Sequence, residues 1–151
     1  MGEPIQFYRQ DESYGCFSNF SAHPIVAKGK VWPTSEHYFQ AQKFADTVHE
    51  EPIRLAPSPT RAAKMGRDRS RPLRSDWEQV KDDIMRDALR AKFTQHPDLK
   101  ATLLATGAAE IVEHTANDRY WGDGGDGTGK NRLGELLMEL RTALLAEPQI
   151  R

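Results

Sequence analysis

Trp32-Pro33-Thr34-Ser35-Glu36-His37-Tyr38-Phe39-Gln40-Ala41-Gln42-Lys43-Phe44 is the stretch on which the reading of this chain turns. Pro33 fixes a backbone angle suited to helix entry, Ser35 or Thr34 can cap the first free N–H groups, and Glu36 favours the positive end of a helix. At about 100° per residue, Glu36 and Lys43 then point within about 20° of one another, with Gln40 between them on the same face. A carboxylate, an amide and an amine share one stripe. Phe39 and Phe44 point away from it and can anchor the helix in a core. An arbitrary Glu and Lys on a helix form an ordinary solvated face. Here Trp32, Tyr38, Phe39 and Phe44 crowd the same segment, so the stripe reads as the wall of a pocket.

The chain has 151 residues, 38% hydrophobic and 9% aromatic, enough for one domain with a real core and too few for two of ordinary size. A single domain over residues 1–151, with its core at about 5–146, is expected. With 21 Lys and Arg against 22 Asp and Glu, the formal net charge is −1. No overall field gathers nucleic acid or anionic membrane, which leaves room only for a local basic patch. The single cysteine, Cys16, excludes an intramolecular disulfide and a zinc site of several thiolates, and it reads as a small buried residue beside Phe17. No apolar run is long enough to span a membrane, and Met1 to Arg9 lacks the apolar centre of a signal peptide, so a cytoplasmic protein is expected. The histidines are scattered, with no H-E-x-x-H pair, and no metal is required. His37 lies about 100° from Glu36 on the helix and reads as structural. No G-x-S-x-G elbow is present.

Outward from the central stretch, Ile25–Ala27 and Val31–Trp32 bracket Lys28-Gly29-Lys30 as a hairpin, and Ile5 to Tyr8 reads as a strand. Phe17-Ser18-Asn19-Phe20 suits either a packed loop or the edge of a ring-binding pocket. Glu50 to Pro59 reads as a break or short helix ahead of a segment from Thr60 to Gly66. Arg67-Asp68-Arg69-Ser70-Arg71-Pro72-Leu73-Arg74 is the most basic run in the chain, either a phosphate clamp or a solvated charge cluster. Helical spacing continues from Asp76-Trp77 to Phe93, and from Leu99 to Ala105 behind Pro97. Glu110 to His114 reads as a strand. Leu133 to Leu145 reads as a helix burying Leu136, Leu137, Leu140 and Leu144.

Between that strand and the last helix, Gly124, Gly129 and Lys130 match the spacing of a phosphate loop, G-x-x-x-x-G-K-[ST]. The match fails on chemistry. Asn131 stands where a magnesium-binding hydroxyl belongs, the strand ends too early, and Asp123 and Asp126 would repel a triphosphate. What survives is a glycine-rich loop from Trp121, Gly122 and Asp123 through Gly127 to Asn131, whose backbone N–H groups can approach a ligand near the start of the last helix. Tyr120-Trp121 at its entrance favours a packed loop over a linker.

Three blocks together, Phe17-Ser18-Asn19-Phe20, Trp32 to Phe44, and Tyr120-Trp121-Gly122-Asp123-Gly124 through Asn131-Arg132-Leu133-Gly134, resemble the YbiA-like, or NADAR, family. Met65-Gly66-Arg67-Asp68-Arg69 and Trp77 fit as well, and the likeness runs from about Phe7 to Leu144. The resemblance implies a mostly helical α+β domain with a few short strands, acting as a cofactor-free N-glycosidase. Its substrates would be phosphoribosylamino-pyrimidine intermediates of riboflavin biosynthesis, cleaved at C1′–N to release ribose 5-phosphate. Other branches remove ADP-ribose from guanine, including guanine in DNA, so nucleic acid enters as a partner only on that alternative. A non-catalytic module binding ADP-ribose or NAD is a third reading. By the resemblance, Glu36, Trp77 and Asp118 are the essential residues and Lys43 matches a lysine that forms a covalent sugar adduct. Phe17, Asn19, Phe20, Gln40, Arg67, Arg69, Trp121, Gly122, Asp123, Gly127 and Asn131 are the candidates for holding substrate. Glu36 beside Lys43 favours the ammonium, whereas attack on a sugar needs the free amine, so burial or the arginines must push the other way.

Overall fold

A computed structural model describes residues 3–148, which form two compact units: one from both ends of the chain, up to Ser18 and from His96 onward, the other Asn19–Gln95. The expected limits at residues 1–2 and 149–151 lie outside the described residues. Chain length gave no hint of this division, because length bounds the amount of core and not how its contacts cluster. Helices dominate and the strands are short, the mostly helical α+β class expected. Among the described residues no helix is long and apolar enough to cross a membrane.

In the Asn19–Gln95 unit, β2 (Ile25–Ala27; β1, Ile5–Phe7, belongs to the other unit) pairs antiparallel with β3 (Lys30–Trp32), Val26 opposite Val31 and Ala27 opposite Lys30. Lys28 and Gly29 are left as a two-residue turn at φ 56° and 72°, the left-handed pair whose twist matches the strands. Trp32 is fully buried, its indole N–H donating to Ala27 O at 2.8 Å and its ring edge-on to Tyr38. Helix α1 (Ser35–Gln42) starts at Thr34, whose Oγ1 accepts from His37 N at 3.1 Å. Ser35 is therefore not the cap; its hydroxyl donates to Asn19 Oδ1 at 2.7 Å. The helix ends at Gln42, and Lys43 N and Phe44 N reach back only three residues, to Gln40 O and Ala41 O.

Every α1 side chain is buried, polar ones included. The helix packs against α2 (Glu50–Arg54), α3 (Pro59–Arg67) and α4 (Trp77–Gln95), around a core of Ile25, Trp32, Tyr38, Phe44, Ile53 and Ala88. A side chain such as Phe44, 1% exposed, contributes about 1.5–3 kcal/mol by leaving water. Ser58 caps α3, accepting from Arg61 N, with Pro59 in the first turn. Ala62, Ala63 and Gly66 are its buried residues, small enough to bring its backbone close to α1.

In the other unit, β1 (Ile5–Phe7) runs parallel to β4 (Ile111–Glu113), Ile5 opposite Ile111. Helix α5 (Pro97–Ala105) contributes Leu99 and Leu103 to the interior, and α6 (Arg132–Ala146) contributes Leu133, Leu136, Leu137, Leu140 and Leu144. Phe17 is enclosed here, edge-on to Phe7 at 5.8 Å. Asn131 ties β4 to α6: its Nδ2 donates to Ile111 O and its Oδ1 accepts from Glu113 N, each at 2.9 Å, from a backbone at φ 52°.

Asn131→Ala strands two backbone groups and keeps a left-handed residue with a Cβ, so it should cost about 3 kcal/mol in urea unfolding. Asn131→Gly should recover about 1 kcal/mol of that, the share due to the left-handed backbone.

Candidate active site

Glu36, Gln40 and Lys43 stand together as helical spacing demands, at 8%, 5% and 9% exposure. Gln40 Nε2 donates to Glu36 Oε2 at 2.7 Å. Gln40 Oε1 is buried without a hydrogen-bond partner, and a Cβ added to Gly66 would fall 2.0 Å from it. The amide thus fills the space that glycine leaves open on α3. Lys43 Nζ donates to Gly66 O at 3.4 Å, and Arg69 Nη2 donates to the same carbonyl. Trp77 opens α4 with its ring edge-on to Phe39 at 5.1 Å, and Lys43 Nζ lies 5.9 Å from the Trp77 ring centroid.

Burial, the nearby Arg69 and, more weakly, Arg67 and Lys81 lower the Lys43 ammonium from 10.5 to about 8, against the opposing pull of Glu36. Burial and the neighbouring cations thus outweigh Glu36 and favour the free amine by about 3 kcal/mol relative to an ordinary lysine, which puts a usable fraction of it in the neutral form at about pH 7–8. His37 is buried, its Nε2 donating to Ala56 O at 3.0 Å while Nδ1 accepts the Thr34 hydroxyl, and burial lowers its pKa. Two hydrogen bonds that hold the neutral ring make it a brace between α1 and the chain after α2.

Asn19 sets the entry of α1. Its carbonyl accepts from Glu36 N at 3.1 Å, its Oδ1 accepts from Ser35, and its Nδ2 reaches Met85 Sδ. Phe20 is half-buried, while the Arg67 side chain is exposed. Arg74, which the motif reading passed over, joins the end of α1 to the start of α4. Its N and Nη1 donate to Lys43 O and Gln42 O, its fork grips Asp76, and its carbonyl accepts from Trp77 N. The signal was present as Arg74-Ser75-Asp76 just ahead of a helix, a cation two residues from the acid that precedes its first residue.

In the other unit, Asp118 Oδ1 accepts from Tyr120 N at 2.9 Å and Trp121 N at 2.8 Å, turning the chain into the glycine loop. Tyr120 and Trp121 stack edge-on at 4.8 Å. Gly122 O accepts from Asn131 N, closing the loop on itself. Asp123 is 5% exposed; burial alone would raise its pKa, but His114 at 2.8 Å and the Gly125 and Thr115 amides outweigh burial and hold the carboxyl below its ordinary range. Gly127, at φ 85°, sits on the exposed arc of the loop.

The chain belongs to the NADAR family: a NADAR domain is matched over residues 6–145. It is 64% identical over 143 residues to the protein named N-glycosidase YbiA of Escherichia coli K12, covering 95% of this chain and 89% of that protein. A riboflavin biosynthesis protein of Vibrio vulnificus is 43% identical over 144 residues, covering 95% of this chain and 39% of that longer protein. The NMR structure of E. coli YbiA superposes with a TM-score of 0.88 at 61% identity, covering 97% of this chain and 90% of that one.

Two outcomes follow from this geometry. Gly66→Ala should keep the fold, as read by circular dichroism, while displacing the Gln40 amide and lowering turnover about tenfold or more. A folded-state pKa below the unfolded value means that the Lys43 ammonium destabilises the fold below pH about 8, and that this penalty fades as pH rises towards 10.5. Lys43→Met should therefore unfold at higher denaturant than the parent at pH 7, by about 1–3 kcal/mol, with the gap closing at alkaline pH.

Proposed function

We infer that this chain is an N-glycosidase, and that it cleaves the C1′–N bond of a phosphoribosylamino-pyrimidine, releasing ribose 5-phosphate and a free aminopyrimidine. The observation that carries the reading is the buried group of Glu36, Gln40, Lys43 and Trp77, with the Lys43 amine held near neutrality. The name N-glycosidase supports the same reaction class, and the name riboflavin biosynthesis protein is consistent with a substrate from that pathway.

The scissile bond joins an anomeric carbon to an exocyclic amine, so the sugar can ring-open. Ring opening breaks C1′–O4′ and moves the amine proton to O4′, leaving C1′ doubly bonded to the exocyclic nitrogen. Glu36, fixed by the Gln40 amide, stabilises the positive charge of that imine when it is protonated, and the neutral Lys43 amine adds to C1′. Its protons pass to the pyrimidine nitrogen as the C1′–N bond breaks, leaving a Lys43–C1′ Schiff base and the free aminopyrimidine. Water then adds to C1′ and expels Lys43, restoring the amine and freeing the sugar aldehyde. Trp77 supplies an aromatic face for the base, and Arg69, hydrogen-bonded beside Lys43, supplies the charge that holds the phosphate. Asp118, in the other unit and with one oxygen given to the loop amides, is the further residue that the family resemblance names as essential.

Ribose 5-phosphate release from a phosphoribosylamino-pyrimidine should be fast with the parent chain. It should drop by at least about a thousandfold in Glu36→Gln with binding largely kept. Borohydride should trap a sugar adduct on the parent and not on Lys43→Met. Preferential release of ADP-ribose from ADP-ribosylated guanosine would reassign the substrate, and tight binding without turnover of either would make the chain a binding module.

A further inference from the structure

We propose that the exposed side of α3 and the turn after it form a second anion site, separate from the Glu36–Lys43 stripe, that takes a phosphorylated small molecule. A cavity of about 370 Å³ opens there, lined by Arg61, Lys64, Met65, Arg67, Asp68 and Arg71. Four cations face one carboxylate, and that carboxylate is already occupied: Asp68 accepts from Arg71 Nη1 at 3.1 Å and from Ser70 N at 2.9 Å. The side chains of Arg61, Lys64 and Arg67 make no hydrogen bond or ion pair among the described residues. Several other surface cations sit against acids, as in Lys28–Glu50, Arg54–Glu51, Arg74–Asp76 and Arg86–Asp83. On a chain of net charge −1, three unpaired cations converging on one hollow make a local field that a multiply charged anion satisfies. Met65, partly buried and packed on the apolar core, gives the hollow an apolar floor for the organic part of such a ligand. The proposal does not depend on the reaction assigned above. Arg67 also repels the Lys43 ammonium, so an anion held in the cavity reaches the amine electrostatically without touching it.

The test is a titration of the full chain with pyrophosphate at constant ionic strength, followed by amide NMR. Saturable shifts centred on residues 61–71 are expected. Arg61→Gln combined with Lys64→Gln, both at exposed positions, should weaken binding at least about tenfold while leaving kcat/KM within about twofold; Lys43→Met should bind pyrophosphate as the parent does. Shifts that fail to saturate, that centre on Lys43, or that survive in the double variant would overturn the proposal. So would a matching rise in KM in the double variant, which would make the cavity the substrate's own phosphate pocket. A short single-stranded oligonucleotide outcompeting pyrophosphate would replace the small molecule with nucleic acid.

Discussion

Making a lysine at the end of a helix easier to deprotonate is the demand that most of the Asn19–Gln95 unit answers. Burial does most of it, and burial requires that α1 be covered on every side rather than on one. Three helices and a hairpin supply the cover for its eight buried residues. Arg69 adds repulsion without competing for the amine, because its guanidinium and the Lys43 amine share a single acceptor, the Gly66 carbonyl. Two donors on one oxygen hold two cations closer than bare charges would settle.

An enclosed polar helix is a hazard unless each group finds a partner. Thr34, Ser35 and His37 do so through short hydrogen bonds, and Gln40 does so through its Nε2 while its Oε1 stays unpaired; these bonds also fix the rotation of α1 about its own axis. That rotation decides which way Glu36 faces. Arg74 does the same at the far end, where it donates to the carbonyls of Gln42 and Lys43, and through Asp76 it carries the constraint to Trp77. Glu36 and Trp77 are thus held by one continuous network, although 40 residues of sequence intervene.

The central stripe was legible because helical spacing is local: Glu36, Gln40 and Lys43 share a face wherever that segment is helical. So was the hairpin, whose turn needs a left-handed pair that Lys28-Gly29 can supply. The pairing of β1 with β4 was not legible, since three-residue strands show no alternation and their partners lie more than a hundred positions apart. Thr34 and Ser35 could both cap a helix; the choice was made by Asn19, whose amide oxygen took Ser35. Within the glycine loop, the sequence suggested backbone groups open to a ligand, whereas several are engaged by Asp118, Asp123 and Asn131. Those bonds depend on how the loop folds over, which spacing alone does not encode.

Gly66 carries a different kind of information. Its role lies in a volume that the chain leaves empty for the Gln40 amide to enter. Surveys that shorten side chains one at a time measure each group by its removal, and at Gly66 there is nothing to remove. Only additions can reveal it. A map of this site assembled from truncations would show Glu36, Gln40 and Lys43 as three separate contributors, and would miss the gap that makes them a single unit.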